Sequence, residues 1–297
     1  MLSIVTAEEE QLPSMNKKTV RIVIQGGAGA FHEIAAKRYQ YLNNVEIVPA
    51  ETFQDLIEVA QNPDLSDGGI MAIENSIYGS ILPNYALLNS SNLEIIGEVY
   101  LRIKQNLMVL PGQKIEDLTE VYSHPVAIVQ CKPFFKKYPN IKLIEAPDTA
   151  LSARMVRDNN WKHAGAIASS AAADLYKMDM IAEGIETNKA NYTRFLVLGI
   201  RKEIEVEKTF NKVSICFSLQ HEVGSLHKVL AALSATNANL TKIQSAPIVG
   251  KAWEYRFFID YLIENKADFK AGIEAIKTLT SEFKILGKYQ RGQLHEN

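Results

Sequence analysis

"TVRIVIQGGAGAFHEIAAKRYQ", Thr19–Gln40, is the stretch whose reading decides the architecture. Thr19–Gln25 is rich in β-branched residues and reads as a strand. Gly26–Ala30, "GGAGA", is a glycine-rich turn, and "FHEIAAKRYQ" carries apolar residues at helical spacing. Strand, turn and helix open an α/β unit. The pattern then repeats. "VEIVPA" leads to the helix "TFQDLIEVAQN", with Thr52 as its N-cap. "DGGIMAIENS" is a strand ending in polar groups, and "GSILPNYALLNSS" is a helix with Pro83 in its first turn. "LEIIGEVYLRIKQNLMVL" holds two adjacent strands or one long bent one. Alternation continues through "LTEVYSHP", "VAIVQCKPFFKKY", "IKLIEAP", "TALSARMVRDNN" and "HAGAIASSAAADLY" to "NYTRFLVLGI". Over Thr19–Ile200 it predicts one or two parallel-type sheets, with ligands at the carboxyl ends of the strands.

Polar residues gather at the corners between strands and helices: Gly26–Ala30, Glu74–Ser76, Ser123–Pro125, Asp148–Thr149, Ser169–Ser170 and Thr193–Arg194. Their convergence would make a concave site. In "NYTRF", Asn191–Phe195, a hydroxyl donor stands beside a guanidinium fork, a pairing suited to an acid substrate. The plainer reading is a strand-edge threonine beside a solvated arginine. "GGAGA" is no dinucleotide fingerprint, because His32 stands where the third glycine belongs, and no G-K-[ST] follows. It is either a loop whose amides face an anion at a helix N-terminus or a plain tight turn. Asn75 and Ser76 can donate to a ligand or satisfy their own turn. Asp148 and Thr149 suit the cap of the next helix. His124 is either a half-buried structural histidine or a site group.

A chain of 297 residues suggests about two domains. Its 47% hydrophobic and 22% charged residues are ordinary for a soluble globular protein. A net charge of −2 without basic blocks argues against nucleic acid as a partner. The apolar runs are too short to span a membrane. Residues 1–18 read as a loose extension rather than a signal peptide. The six histidines lack zinc-ligand spacing, so no metal is expected. Cys131 and Cys216 fall in different predicted domains, which argues against a disulfide and for a reducing, cytoplasmic setting. Residues 201–212 are charged without sustained amphipathicity and read as a linker. Residues 213–290 then follow the order βαββαβ, a ferredoxin-like unit.

In order along the chain, these motifs resemble the prephenate dehydratase family. "QGGAGAFHEIAA" is similar to its G-P-x-G-T-F-S-x-x-A-A, "IENSIYGS" to E-N-S-x-x-G-S, and "SHPVAIVQC" to S-H-P-x-A-x-x-Q-C. "DTALSA" is similar to D-T-A-x-x-A, and "NYTRF" to N-x-T-R-F. From "SLQHEVGSLHKVL" to "EYRFFID" the chain resembles the ACT domain usually fused to that enzyme. The family's Pro is Gly27 here, its Thr is Ala30 and its Ser is His32; the ACT signature G-A-L is "GSL", and E-S-R-P is "QSAP".

The resemblance implies an α/β fold: a two-lobed catalytic domain of the type II periplasmic-binding-protein kind over 19–200, plus an ACT domain over 213–290. It implies conversion of prephenate to phenylpyruvate, water and carbon dioxide, without a cofactor. Thr193 would be the acid-like donor to the leaving hydroxyl, Arg194 would orient the loop or hold a carboxylate, and Phe195 would wall the pocket. Asn75, Ser76, Thr149, Ser169 and the backbone of Gly26, Gly27, Ala28, Gly29 and Ala30 would hold substrate. Gly224, Ser225, Leu226, Gln244, Ser245 and Pro247 would bind phenylalanine as a feedback effector, with sensitivity altered by "QSAP". A homodimer or homotetramer is implied. Two other readings stay open: an arogenate dehydratase, and a non-catalytic amino-acid-binding regulator on the same lobes.

Overall fold

The computed structural model describes residues 19–40, 42, 44–199, 209–248, 250–251 and 253–296. The expected N-terminal extension, and all but the last four residues of the expected 201–212 linker, lie outside them.

The first lobe is built from β1 (Val20–Gln25), α1 (Phe31–Arg38), β2 (Val45–Ala50), α2 (Phe53–Ala60), β3 (Gly68–Asn75), β4 (Gly79–Ser80), α3 (Leu82–Ser90) and β5 (Glu94–Arg102). The chain then crosses to a second lobe: β6 (Asn106–Val109), β7 (Glu120–Ser123), α4 (Pro125–Phe135), β8 (Lys142–Glu145), α5 (Thr149–Asp158), β9 (Ala164–Ala168), α6 (Ser170–Tyr176) and β10 (Asp179–Ala182). It returns to the first lobe as β11 (Tyr192–Gly199). Local chemistry explains several boundaries. Thr52 and Asp55 form a reciprocal capping box at α2, Pro83 stands in the first turn of α3, and Asp148 caps α5.

The first-lobe sheet runs β2-β1-β3-β11-β5 and the second β10-β6-β9-β7-β8. Both are mixed, which corrects the expectation of parallel-type sheets. β1 lies parallel to β2 and β3, but β11 is antiparallel to both β3 and β5. In the second sheet β6 is antiparallel to β9 and β10. The cause lies in the two crossings: β5 leaves the first lobe where β11 re-enters it, so the two strands run in opposite directions. The crossings are bonded together, Ile103 N donating to Asn191 O at 2.7 Å and Ile185 N to Gln105 O at 2.8 Å. This is the two-lobed type II periplasmic-binding-protein arrangement.

The remaining elements are β12 (Lys212–Ser218), α7 (Ser225–Ser234), β13 (Asn239–Pro247), β14 (Tyr255–Leu262), α8 (Lys266–Lys277), β15 (Glu282–Tyr289) and β16 (Leu294–His295). β12 through β15 form an antiparallel sheet in the order β13-β14-β12-β15, the ferredoxin-like βαββαβ topology. β12 opens at Lys212, inside the stretch expected to be linker. The unit also continues the first-lobe sheet: β15 lies alongside β5 with Gly287 paired to Ile95, so eleven strands of the described residues share one sheet. A Cβ on Gly287 would stand 2.2 Å from the Ile95 carbonyl oxygen, so only glycine lets the strands approach this closely.

Two cores flank β11. Phe195 and Val197 enter the core between the lobes, while Leu196 and Leu198 enter one shared with Cys216, Phe258 and Leu286 of the C-terminal unit. The period-2 alternation of a strand thus gives β11 one face toward the cleft and one toward the C-terminal unit. No helix among the described residues is long and apolar enough to cross a membrane.

Candidate active site

A cavity of about 410 Å³ opens between the lobes, within the size range of small-molecule sites. Strand ends supply its polar wall: Gln25 at the end of β1, Asn75 at the end of β3, His124 after β7, and Thr193 at the start of β11. Phe53, Ile81, Ile103 and Phe195 supply an apolar wall. No lysine or arginine is among the lining residues described. Positive potential comes instead from helix N-termini. Phe31 begins α1, Val126 and Ala127 lie in the first turn of α4, and Thr149 begins α5, and all four line the cavity. The unpaired amides of a helix's first turn and its dipole favour an anion there.

Thr193 is buried and held by Asn75, whose Nδ2 donates to Thr193 Oγ1 at 3.0 Å. The Asn75 orientation is set by backbone: its Oδ1 accepts from Ile77 N at 2.9 Å and Tyr78 N at 3.1 Å, and its Nδ2 reaches Tyr192 O at 3.2 Å. Backbone N–H groups only donate and carbonyls only accept, so the amide cannot be reversed. With one lone pair of Oγ1 engaged, the Thr193 proton remains available for donation.

His32 lines the same cavity and stands edge-on to Phe195, ring centroids 4.9 Å apart. Its Nε2 accepts from Ala72 N at 3.3 Å. Burial lowers its pKa to about 3, so it is neutral at physiological pH. His124 caps α4 through Nδ1, which accepts from Val126 N at 3.3 Å, and burial lowers its pKa. Asp148 caps α5, Oδ1 accepting from Leu151 N at 2.9 Å. Burial raises its pKa, opposed by backbone donors including Gly27 N.

Of the expected substrate holders, Asn75 and Thr149 line the cavity together with Thr193 and Phe195. The others lie outside that lining. Gly26, Gly27, Ala28, Gly29 and Ala30 are absent from the lining because their loop clasps the second lobe. Ser169 Oγ donates to Gly29 O at 2.7 Å, Tyr176 Oη donates to Ala28 O at 2.9 Å, and a Cβ on Gly29 would stand 2.9 Å from Ala172 Cα. Ser169 is buried as this clasp and as the cap of α6. Ser76 Oγ faces backbone, donating to Ala190 O at 2.8 Å and accepting from Tyr192 N at 2.9 Å.

Arg194 is also placed elsewhere. It lies on the opposite face of β11 and is 3% exposed. Its Nε donates to Glu98 Oε2 at 2.7 Å, Nη1 to Asp260 Oδ2 at 2.5 Å and Nη2 to Tyr289 Oη at 3.0 Å. Lys212 Nζ donates to both Glu98 oxygens at 2.9 Å, Ser214 Oγ donates to Asp260 Oδ1 at 2.5 Å, and Lys242 pairs with Glu74. Three cations thus face three carboxylates at the junction with the C-terminal unit. Burial opposes the Arg194 charge, but Asp260 and Glu98 outweigh it and raise the guanidinium pKa further.

In the C-terminal unit, Gly224 is the left-handed N-cap of α7, followed by Ser225 and Leu226. Gln244, Ser245 and Pro247 lie on β13, the outermost strand of the sheet. Ser225 alone of the six lines a shallow pocket of about 80 Å³ near Trp253.

Residues not singled out from sequence complete the cavity: Gln25, Gln105 and Gln130, with Asn191 behind them. Gln130 has a sequence signal, because Val126, Ala127 and Gln130 share one helical face in "SHPVAIVQC". Gln105 has none, since it lies in a crossing that only the tertiary fold defines.

The prephenate dehydratase family model matches residues 22–203, which contain every residue of this cavity wall. Arogenate dehydratase 1 of Petunia hybrida is 36% identical over 295 residues, covering 93% of this chain and 68% of the relative. Among solved structures, the quorum-quenching acylase GqqA superposes with a TM-score of 0.81 at 25% identity, covering 91% of this chain and 98% of that one. The prephenate dehydratase of Arthrobacter aurescens in complex with L-Phe superposes with a TM-score of 0.82 at 22% identity, covering 92% and 90%, and shares the fold. The match spans well over half of the chain and contains the amide-anchored threonine between the lobes, so this chain belongs to the prephenate dehydratase family.

Proposed function

We propose that this chain catalyses the decarboxylating dehydration of prephenate to phenylpyruvate, a step of phenylalanine biosynthesis. One observation carries the reading: Asn75 engages the Thr193 oxygen from behind, leaving its proton for the cavity. The bond between the ring and its carboxylate breaks, and its electron pair moves into the ring. The bond from the ring to its hydroxyl breaks at the far side, and the oxygen leaves as water. Carbon dioxide, water and phenylpyruvate account for the substrate plus one proton. That proton passes through Thr193 Oγ1. A threonine hydroxyl is a weak acid, so its effect comes from position and from a fixed donor aimed at the developing charge. The Asn75 N–H supports negative charge on Oγ1 as its proton moves. Helix N-termini oppose the two carboxylates. Phe53 and Phe195 limit water around the carboxylate that is lost. Aromatisation drives the reaction, so the chemistry calls for no cofactor. Purified protein mixed with prephenate is expected to form phenylpyruvate. A mixture in which prephenate decays no faster than in buffer rejects prephenate as substrate, and decay of neither prephenate nor arogenate leaves the non-catalytic regulator.

A second reading, arogenate as substrate, is favoured by the name of the Petunia relative and by carbonyl and carboxylate acceptors in the cavity wall. The C-terminal unit is proposed to be an ACT domain through which phenylalanine lowers activity, with Gly224–Leu226 and Gln244–Pro247 as its binding loops. The L-Phe complex of the Arthrobacter protein supports this. β13 ends the sheet and exposes Ile243, an edge suited to pairing copies of the chain in a cytoplasmic homodimer or homotetramer. Phenylalanine titrated into the turnover assay is expected to lower the rate; an unchanged rate and unchanged assembly argue against this role.

A further inference from the structure

His32 stands where the family pattern has a serine, on the first-lobe wall of the cavity. It is 9% exposed and packs against Phe53 and Phe195, at ring-centroid distances of 5.7 and 4.9 Å. Backbone decides its tautomer. Ala72 N can only donate, so Nε2, 3.3 Å away, is the acceptor nitrogen. A neutral imidazole carries one ring proton, which is therefore on Nδ1. Burial keeps the ring neutral, with a pKa of about 3. Nδ1 makes no hydrogen bond among the described residues, and it is not one of the unpartnered polar atoms sealed from solvent. The wall thus carries a neutral N–H donor without a protein partner.

The place of this donor along β11 relates it to the chemistry. Ala72, which fixes the ring, is paired with Phe195, and Asn75, which holds the Thr193 hydroxyl, is paired with Thr193. The two rungs lie two residues apart on β11, about 7 Å. That is close to the span of a six-membered ring, from a hydroxyl on one carbon to a carboxylate on the opposite carbon. With Thr193 at the hydroxyl that leaves, His32 lies toward the carboxylate that leaves. The other polar groups of the first-lobe wall are engaged or outlying. Asn75 Nδ2 is shared among Asn191, Tyr192 and Thr193, Gln25 Nε2 donates to Glu51 O at 3.4 Å, and Tyr78 is 47% exposed. Across the cleft, Gln105 Oε1 is sealed, and Asp148 already accepts from Leu151 N and Gly27 N; both are acceptors and cannot hold a carboxylate. His124, Gln130 and Thr149 can donate from that lobe, on or beside α4 and α5, and suit the second carboxylate, on the side chain. A cation beside the departing carboxylate would stabilise the ground-state charge and slow its loss. A neutral N–H orients the group with a weaker hold.

We propose that His32 is a substrate-binding residue of this site, its Nδ1–H donating to the ring carboxylate that is lost as carbon dioxide. The proposal rests on the dehydratase reading above and concerns how that site holds its acid, since prephenate and arogenate share this carboxylate. The test is steady-state kinetics on both acids for the wild type, His32→Phe and His32→Gln, with thermal melts to establish folding. Inhibition by phenylpyruvate, which has lost the ring carboxylate, is measured alongside. His32→Phe is expected to raise KM at least tenfold for the acid turned over, with kcat within about threefold of wild type, the pattern of a lost binding contact. The phenylpyruvate Ki is expected to stay within about twofold. His32→Gln can accept from Ala72 N through its oxygen and donate through its nitrogen, and is expected to hold KM within about threefold. Nitrogen-15 NMR of the wild type is expected to show His32 protonated on Nδ1, a measurement that serves if His32→Phe does not fold. An unchanged KM in His32→Phe, equal weakening of substrate and phenylpyruvate, or a ring protonated on Nε2 overturns the proposal while leaving the dehydratase intact. Consumption of neither acid by the wild type overturns both.

Discussion

At Thr193 the hydroxyl oxygen already accepts from Asn75, so the proton it can move is its own. Removing the hydroxyl removes the donor and little else, because Thr193 makes few other polar contacts. Thr193→Ala is expected to lower kcat by about 10²–10³, the scale for losing one preorganised donor. Its melting temperature should stay within a few degrees of wild type, and an undiminished rate would dismiss the assignment. A second residue sets the response to acid. His32 has a folded pKa of about 3 against 6.5 in the unfolded chain, so the unfolded state binds more protons between those values. Its contribution to stability is therefore complete above pH 6.5 and is lost as pH falls toward 3. The slope approaches about 1.4 kcal/mol per pH unit. His32→Gln keeps an acceptor for Ala72 N and does not titrate. Urea unfolding across this window is expected to show a shallower loss for the variant; parallel curves would place the acid sensitivity elsewhere.

At the scale of the element, β11 shows why neighbours in "NYTRF" part company. Thr193 and Phe195 face the cleft, and Arg194 between them faces Glu98, Asp260 and Tyr289. A residue-type argument groups threonine and arginine as an acid-binding pair. Strand geometry separates them, and that period-2 alternation was available in the sequence. Arg194→Ala would leave Glu98 and Asp260 short of a partner in the interior. Removing one member of a buried ion cluster costs about 3–5 kcal/mol. The expected result is a loss of that size in chemical unfolding. A loss below 1 kcal/mol with a raised KM for substrate would instead return Arg194 to the cavity. The glycine loop is held from the second lobe as well, its carbonyls receiving Ser169 and Tyr176.

For the whole molecule, the chief consequence is continuity. The C-terminal unit shares a sheet with the first lobe through β15 and β5, and the Arg194–Asp260 and Lys212–Glu98 pairs lock that seam. The strand that carries Thr193 is thereby gripped on its rear face by the unit proposed to sense phenylalanine. Such a seam couples unfolding of the two parts. Calorimetry is expected to give one cooperative transition; two well-separated transitions would show the parts to be independent.

The alternation of strand and helix, the capped helix starts and the βαββαβ order were legible without coordinates because hydrophobic period and capping chemistry are local. So was the corner set Asn75, Thr149 and Thr193, since strand ends in such folds face the cleft, while Phe195 was implied by the family resemblance. Tertiary structure alone decided three things. β11 runs against its neighbours because the chain leaves and re-enters the lobe at one place. β12 through β15 extend the first-lobe sheet because Gly287 permits contact with Ile95. Asn75, Asn191 and Gln130 join in one set of hydrogen bonds that draws on both lobes, brought together from positions as far apart as 75 and 191. Such contacts exist only once the two crossings have placed the lobes side by side, and no sequence neighbour of these residues carries that information.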